Sequence, residues 1–502
     1  MSTRLASRRE RLQRGVVWAV VAWAIVMYAL MFPHLLADFP HAAPWSDMSK
    51  ATDEGWYGGG ALHHFVFGHW YLPDSFNPAV AMPMWSVMLG AWFSVAGVGM
   101  FQARLLAVLL YGVSLVLMVK LLREERCGWL ACAGAALLMT ANPFCYVFDR
   151  MALLEPVSVF WWVLAMYLAG RAASGGSWRA ALVGLASVSL VLTKTTAIVL
   201  VVSILYFLYA RAKQQRRPWL RPVLLAVTTA VMVWCVYFFA WVRPRYLRDF
   251  RFVFSINNFR SHLTILPQTT WQMLVSGLWI NAVLFPLGVL VLVVAVIWLR
   301  GLWAKPLFTA AVLAASLDLA FIIYHGNFQP RYYLVVAMPL VIVVVMGAED
   351  LWRKGVTQVA LAGCAVLLTT AVSMTARTLS YVAHPVYTQR DMAMAVAERM
   401  RADKSADPVL FGGAADDISM FTGVRAISFY EPYGLQPLLD RYHPGWMAAW
   451  LDWEADYPKQ VSSQYELQQV ATFHVYDDQP RHQLFVLYRM VPRGSRSAGS
   501  AK

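Results

Sequence analysis

The chain has 502 residues, of which 59% are apolar and 14% charged, with a mean hydropathy of +0.51, a balance that excludes an ordinary soluble globular protein. A formal charge of +14 would suit a nucleic-acid binder, but the lysines and arginines fall mainly in short connections between apolar runs, as membrane orientation signals do. Cys127, Cys132, Cys145, Cys235 and Cys364 lie in or beside those runs and give neither a disulfide framework nor a zinc spacing.

The first apolar run, 16–32, follows Arg4, Arg8, Arg9, Arg11 and Arg14 with no small-residue cleavage site after it. It reads as a retained helix, with residues 1–15 in the cytoplasm. An acidic stretch, 52–57, then emerges outside, and its two adjacent carboxylates, Asp53 and Glu54, are costly to desolvate beside a bilayer. Residues 82–98 could cross, but that would place the basic KLLREER of 120–126 outside. A helix along the outer interface is preferred, after a loop holding Pro73, Pro78 and Pro83.

With that choice, crossings are expected at 101–119, 128–145, 156–168, 180–193, 195–210, 223–241, 278–299, 307–324, 334–345 and 358–374. KLLREER, the RAKQQRRPWLR of 211–221 and the pair Arg353-Lys354 then lie inside. The loop carrying Arg243, Arg245, Arg248, Arg251 and Arg260 lies outside, against the charge rule, and could bind lipid headgroups or line a substrate entrance. Counting the first helix, eleven crossings put the C-terminal part outside. Residues 377–491 read as a small α/β domain, with a helix at 390–401 and strands at 408–411, 426–430, 471–476 and 484–488. Asp416, Asp417 and Glu431 read as solvated surface there, and the tail 492–502 as disordered.

The expected fold is thus a polytopic α-helical membrane protein, 16–376, with about 11 transmembrane helices and interfacial helices in the first outer loop, plus the C-terminal domain. The outward loops collect Asp53, Glu54, Tyr57, Asp149, Arg150, Glu155, Lys194, His325, Arg331 and Tyr332 on one membrane face. Carboxylates can activate a hydroxyl, while lysine and arginine can hold a leaving phosphate. The pairing points to group transfer from a phosphate-linked donor at the lipid surface. Adjacent imidazoles point apart on a helix, so His63 and His64 are assigned no metal.

The motifs DEGWY (53–57), FNPAVAMPMW (76–85), DRMALLEP (149–156), LTKTTA (192–197) and QPRYYLVVAMPL (329–340) occur in that order. Together they resemble the GT-C superfamily of polyprenyl-phosphate-sugar glycosyltransferases, in the branch of protein O-mannosyltransferases and lipid A aminoarabinose transferases. The resemblance, over roughly 16–375, implies a catalytic or acceptor-binding acid at Asp53 with Glu54 beside it, and the expected general base is Asp53, with Glu54 as the alternative. It also implies a second-loop motif at Arg150 and Glu155, donor-phosphate ligands among Lys194, Arg331, Tyr332 and Arg150, and inversion at the sugar. Tyr57, Glu155, Asp149 and His325 are the candidate substrate contacts. The glycine run 58–60 departs from that family's usual helix.

The reaction expected is transfer from a polyprenyl-phosphate sugar to a hydroxyl of a lipid, protein or glycan, at the outer face of the cytoplasmic membrane. No cofactor or nucleic-acid partner follows, and a divalent ion stays open. The rivals are a polytopic transporter or lipid flippase, whose charges would line a path through the bilayer, and a scaffold displaying its C-terminal domain.

Overall fold

The computed structural model describes residues 2–38, 43–45, 47–51, 53–256, 263–429, 434–476 and 482–493. Thr52, Arg260, Glu431 and the tail after 493, all read from sequence above, lie outside these. Among the described residues, helices long and apolar enough to cross a membrane begin at Arg11, Met100, Leu154, Thr195, Leu220, Pro306, Pro330 and Thr357. Shorter apolar helices cover Pro83–Ala96, Trp129–Thr140, Ser177–Thr193 and Leu284–Ile297. The protein is therefore a multi-pass membrane protein. The 14 residues of Pro83–Ala96 extend about 21 Å at the α-helical rise, well short of a hydrocarbon core of about 30 Å.

Local chemistry sets many helix ends. Proline opens Pro83–Ala96, Pro143–Phe148 and Pro306–His325, where its missing N–H costs nothing. Asn142 caps the second of these by accepting the Phe144 N–H at 3.0 Å. The third ends on Gly326, whose φ of 66° favours glycine.

Burial separates centre from rim. In Leu334–Arg353 every residue from Leu334 to Gly347 is buried, whereas in Leu220–Tyr237 only Ala226 is. The outward face of that rim helix, with Leu224, Val231, Met232 and Val236, is what a bilayer would cover. Gly184 lets Ser177–Thr193 lie against it backbone to backbone, since a Cβ there would stand 2.4 Å from the Ala226 carbonyl oxygen.

Following the helices along the chain separates two ends. Arg104, Leu154, Lys194, His325 and Arg331 stand at one. At the other lie ion pairs such as Arg211 with Glu124 (3.4 Å), Lys305 with Asp350 (3.2 Å) and Arg353 with Glu349 (2.8 Å).

The C-terminal part is a five-stranded sheet: β1 Val409–Gly412, β2 Arg425–Ile427, β3 Trp446–Trp450, β4 Tyr465–His474 and β5 Leu484–Pro492. The spatial order is β2-β1-β3-β5-β4, with β1 parallel to β2 and β3 and the remaining pairs antiparallel. Strand β3 escaped the sequence reading because all five of its residues are buried and show no alternation.

The sheet domain grips the first loop of the bundle. The backbone N–H of Gln389 donates to Asp38 at 2.7 Å, and the Tyr476 hydroxyl donates to the Lys50 carbonyl at 3.0 Å. Asp416 and Asp417 correct the sequence reading: they are 5% and 1% exposed and lie against the helix Asp53–Phe67. Asp416 pairs with His63 at 3.0 Å, and Asp417 accepts the Gly55 N–H at 3.2 Å. Gly55 and the glycine run after it explain their burial. A Cβ on Gly55 would lie 2.3 Å from the Asp417 nitrogen, and one on Gly58 2.5 Å from the Met420 methyl. The run makes a flat helix face on which Ala415–Thr422 rests.

Candidate active site

Asp53 and Glu54 open the helix Asp53–Phe67, where acids complement the helix dipole. Neighbours on an α-helix point about 100° apart, so the two carboxylates cannot share one site easily. Glu54 turns inward, fully buried. Its oxygens take Nε of Arg104 at 2.8 Å and Nη2 at 2.5 Å, and the Ala152 N–H donates to it at 2.7 Å. Asp53 turns the other way, into a cavity of about 410 Å³.

That cavity is lined by the charged side chains of Asp53, Lys194, Asp318 and Arg331 and by aromatic ones that include Trp56, Tyr57, Phe252 and Tyr332. Arg331 sits on the tight turn Pro330–Tyr333, held by Asp47. The Asp47 carboxylate takes Nη1 at 2.5 Å and the Arg331 backbone N–H at 3.1 Å. The same Nη1 stands 2.6 Å from Asp53 Oδ2, and Nε stands 3.7 Å from Glu155. Lys194 occupies an extended break between Ser177–Thr193 and the helical segment that follows. Its ammonium reaches Glu155 at 2.7 Å and lies 4.1 Å over the ring of Tyr332. Burial and the nearby Asp53 push the Tyr57 phenol well above its ordinary pKa, so it stands in the cavity as a neutral donor.

Of the residues expected from sequence, Asp53, Tyr57, Lys194, His325, Arg331 and Tyr332 line this cavity. Glu155 lies behind it and holds both cations. Glu54, Asp149 and Arg150 do not line it. Arg150 is tied to the backbone carbonyls of Tyr146, His34 and Asp38, and so fastens the first loop to the second. Asp149 is 1% exposed at the end of the helix Pro143–Phe148. A short buried turn aims these two away from the cavity, which counting outward loops could not resolve. His63 is engaged by Asp416, and His64 stacks on Trp70 at 5.0 Å. Among the described residues no group of three or more His, Cys, Asp or Glu is arranged to hold a metal ion. The basic loop contributes Phe252 to a cavity wall, where it packs on Phe76 at 4.9 Å.

Asp318, which lines the cavity, and Asp47, which holds Arg331, were not assigned to the site from sequence, nor was Arg104 as the partner that holds Glu54 out of it. Asp318 carried a signal, being an acid inside an apolar run, where a charge is expensive. Asp47 carried none.

Residues 78–241, which carry Arg104, Arg150, Glu155 and Lys194, match the family model for dolichyl-phosphate-mannose-protein mannosyltransferases. A search of curated proteins gives no match. The structure is similar to that of ArnT from Cupriavidus metallidurans bound to undecaprenyl phosphate, at 15% identity and a TM-score of 0.59, covering 94% of this chain and 98% of that one. The chain has the GT-C fold. The apo state of the same ArnT matches equally, at 15% identity, a TM-score of 0.59, and 95% and 98% coverage. The apo oligosaccharyltransferase of Archaeoglobus fulgidus aligns at 10% identity and a TM-score of 0.49, over 90% of this chain and 73% of that one. In this GT-C fold the cavity lies at one end of the helical bundle, roofed in part by the sheet domain.

Proposed function

We propose that this GT-C protein is a membrane glycosyltransferase that moves a sugar from a polyprenyl-phosphate donor to an acceptor hydroxyl, with inversion. The observation that carries the reading is the convergence of Asp53, Lys194 and Arg331 on one cavity, with Asp53 and Arg331 2.6 Å apart. Lys194 and Arg331 are the donor-phosphate ligands. An arriving phosphate competes for Arg331 and so releases the Asp53 carboxylate. Asp53 then takes the proton of the acceptor hydroxyl, whose oxygen attacks the anomeric carbon. The bond from that carbon to the phosphate oxygen breaks, and the charge left on the phosphate falls on the two cations. Glu155 keeps Lys194 and Arg331 in place, and Tyr57, Tyr332 and His325 orient the substrates.

Undecaprenyl phosphate bound by the similarly folded ArnT supports a polyprenyl-phosphate donor. The basic connections 120–126, 211–221 and 353–354 stand at the end of the bundle away from the cavity and outnumber the one arginine-rich loop beside it, which supports a cytoplasmic N-terminus and an extracytoplasmic site in the inner membrane. Residues 16–376 would hold the reaction centre, and 377–491 an extracytoplasmic domain.

The test is incubation of the purified protein in lipid nanodiscs with labelled polyprenyl-phosphate sugars and an extract of envelope acceptors. The expected result is label on an acceptor with release of polyprenyl phosphate, reduced a hundredfold or more by Asp53→Asn. Full transfer by that variant would refute the mechanism. A reporter fused after Lys502 and found in the cytoplasm would overturn the orientation.

A further inference from the structure

One wall of the cavity comes from outside the helical bundle. Trp453, on the turn Leu451–Glu454 after β3, lines the cavity together with Asp53 and Lys194. Among the described lining residues it alone is supplied by the sheet domain.

The turn is fastened at several points. Asp452 accepts the N–H groups of Gln483 at 3.0 Å and Leu484 at 3.1 Å, and Glu454 accepts that of Trp450 at 2.9 Å. The ring of His482 stands edge-on to Trp450 at 5.0 Å and to Trp453 at 5.2 Å. Trp450 is wholly buried within the sheet domain, yet Trp453 remains 37% exposed. The turn that presents this large π face is thus fastened before any ligand arrives, which lowers the ordering cost of covering it.

We propose that Trp453 is a substrate contact that stacks on the sugar ring of the donor and helps to set which sugar is accepted. The proposal rests on the transferase reading above. The ring carries weakly electropositive C–H groups on its apolar face, and the indole offers the complementary electron-rich surface. The donor sugar, rather than the acceptor, is assigned to it for a geometric reason. The anomeric carbon is bonded to the phosphate that Lys194 and Arg331 hold, and it must stay within reach of Asp53. The sugar ring therefore enters the cavity that these three residues and Trp453 line, alongside the acceptor hydroxyl.

The experiment compares wild type, Trp453→Leu and Trp453→Phe, each purified in detergent and checked for an unchanged melting temperature. Affinities for a polyprenyl-phosphate sugar and for bare undecaprenyl phosphate are measured by titration, and KM and kcat by transfer. Trp453→Leu should weaken binding of the sugar-bearing lipid and raise its KM about 10-fold, and Trp453→Phe only about 3-fold. Binding of bare undecaprenyl phosphate and kcat should stay within about twofold of wild type. The idea fails if sugar-lipid affinity is unchanged, if only the acceptor KM rises, or if bare undecaprenyl phosphate is lost in parallel. Because the binding arm needs no turnover, absence of transfer by the wild type would refute the transferase reading alone.

Discussion

Replacing Glu54 by glutamine keeps the shape of the side chain and removes the charge facing Arg104. Both residues are essentially buried, at 0% and 1% exposure. The guanidinium also donates to the carbonyls of Leu35 and Ala37 at 2.8 Å each, so it cannot swing out to water without breaking the first loop. Breaking a buried ion pair from one side costs about 3–5 kcal/mol, out of a total stability of about 5–15 kcal/mol. Asp53→Asn removes less, because Arg331 keeps Asp47 at 2.5 Å. The two variants should therefore separate in paired measurements of thermal unfolding in detergent and single-turnover transfer well below the melting range. Asp53→Asn should melt near wild type and lose a hundredfold or more in rate. Glu54→Gln should melt much earlier, while its folded fraction keeps a rate within tenfold of wild type. Glu54→Gln combined with Arg104→Met should recover part of the lost stability, since it no longer strands a charge. A stable Glu54→Gln protein with the rate loss assigned to Asp53 would refute the division of labour and make Glu54 the base.

Gly55→Ala places its Cβ against the backbone of Asp416 and Asp417, which cannot give way, whereas Gly58→Ala meets only the flexible end of Met420. Limited proteolysis should release the sheet domain several-fold faster in the first variant and at the wild-type rate in the second. Lys194→Met removes a charge-assisted partner for phosphate and should raise the undecaprenyl phosphate Kd about tenfold or more, by titration. Burial raises the Glu454 carboxyl from 4.5 to about 8. Between those values the native chain holds a proton that the unfolded chain has released, so this residue lowers stability as pH rises through that window. Glu454→Gln should remove that slope, and its melting temperature relative to wild type should climb from pH 5 to pH 9. Parallel curves would count against the assignment.

Much of this was legible because lipid imposes strong constraints on composition. Apolar runs broken by arginines and lysines marked the helices, and carboxylates next to such runs stood out by their cost, as with Asp53 and Glu155. The contrast between Asp53 and Glu54 was not legible. It depends on which way a helix is rotated, and that is set by Arg104, 50 residues away. Local polarity also misled at Asp416 and Asp417, since what buries them is a row of glycines more than three hundred residues earlier. The cavity residues Lys194 and Arg331 sat beside apolar runs and could be found. Asp47, which holds Arg331, sits in an ordinary polar loop and could not.

The glycine face of Asp53–Phe67 has a consequence for how the protein is made. Its partner, Ala415–Thr422, leaves the ribosome some 362 residues after Gly55. During synthesis the helix that carries Asp53 has a bare, weakly helix-forming surface and waits for a late-arriving clamp. The cavity that Asp53 enters is thus completed only after the sheet domain, the last part of the described chain to be made, has folded against this helix. A chain cut short before the sheet would keep its membrane helices yet leave the glycine face bare and the cavity without its Trp453 wall.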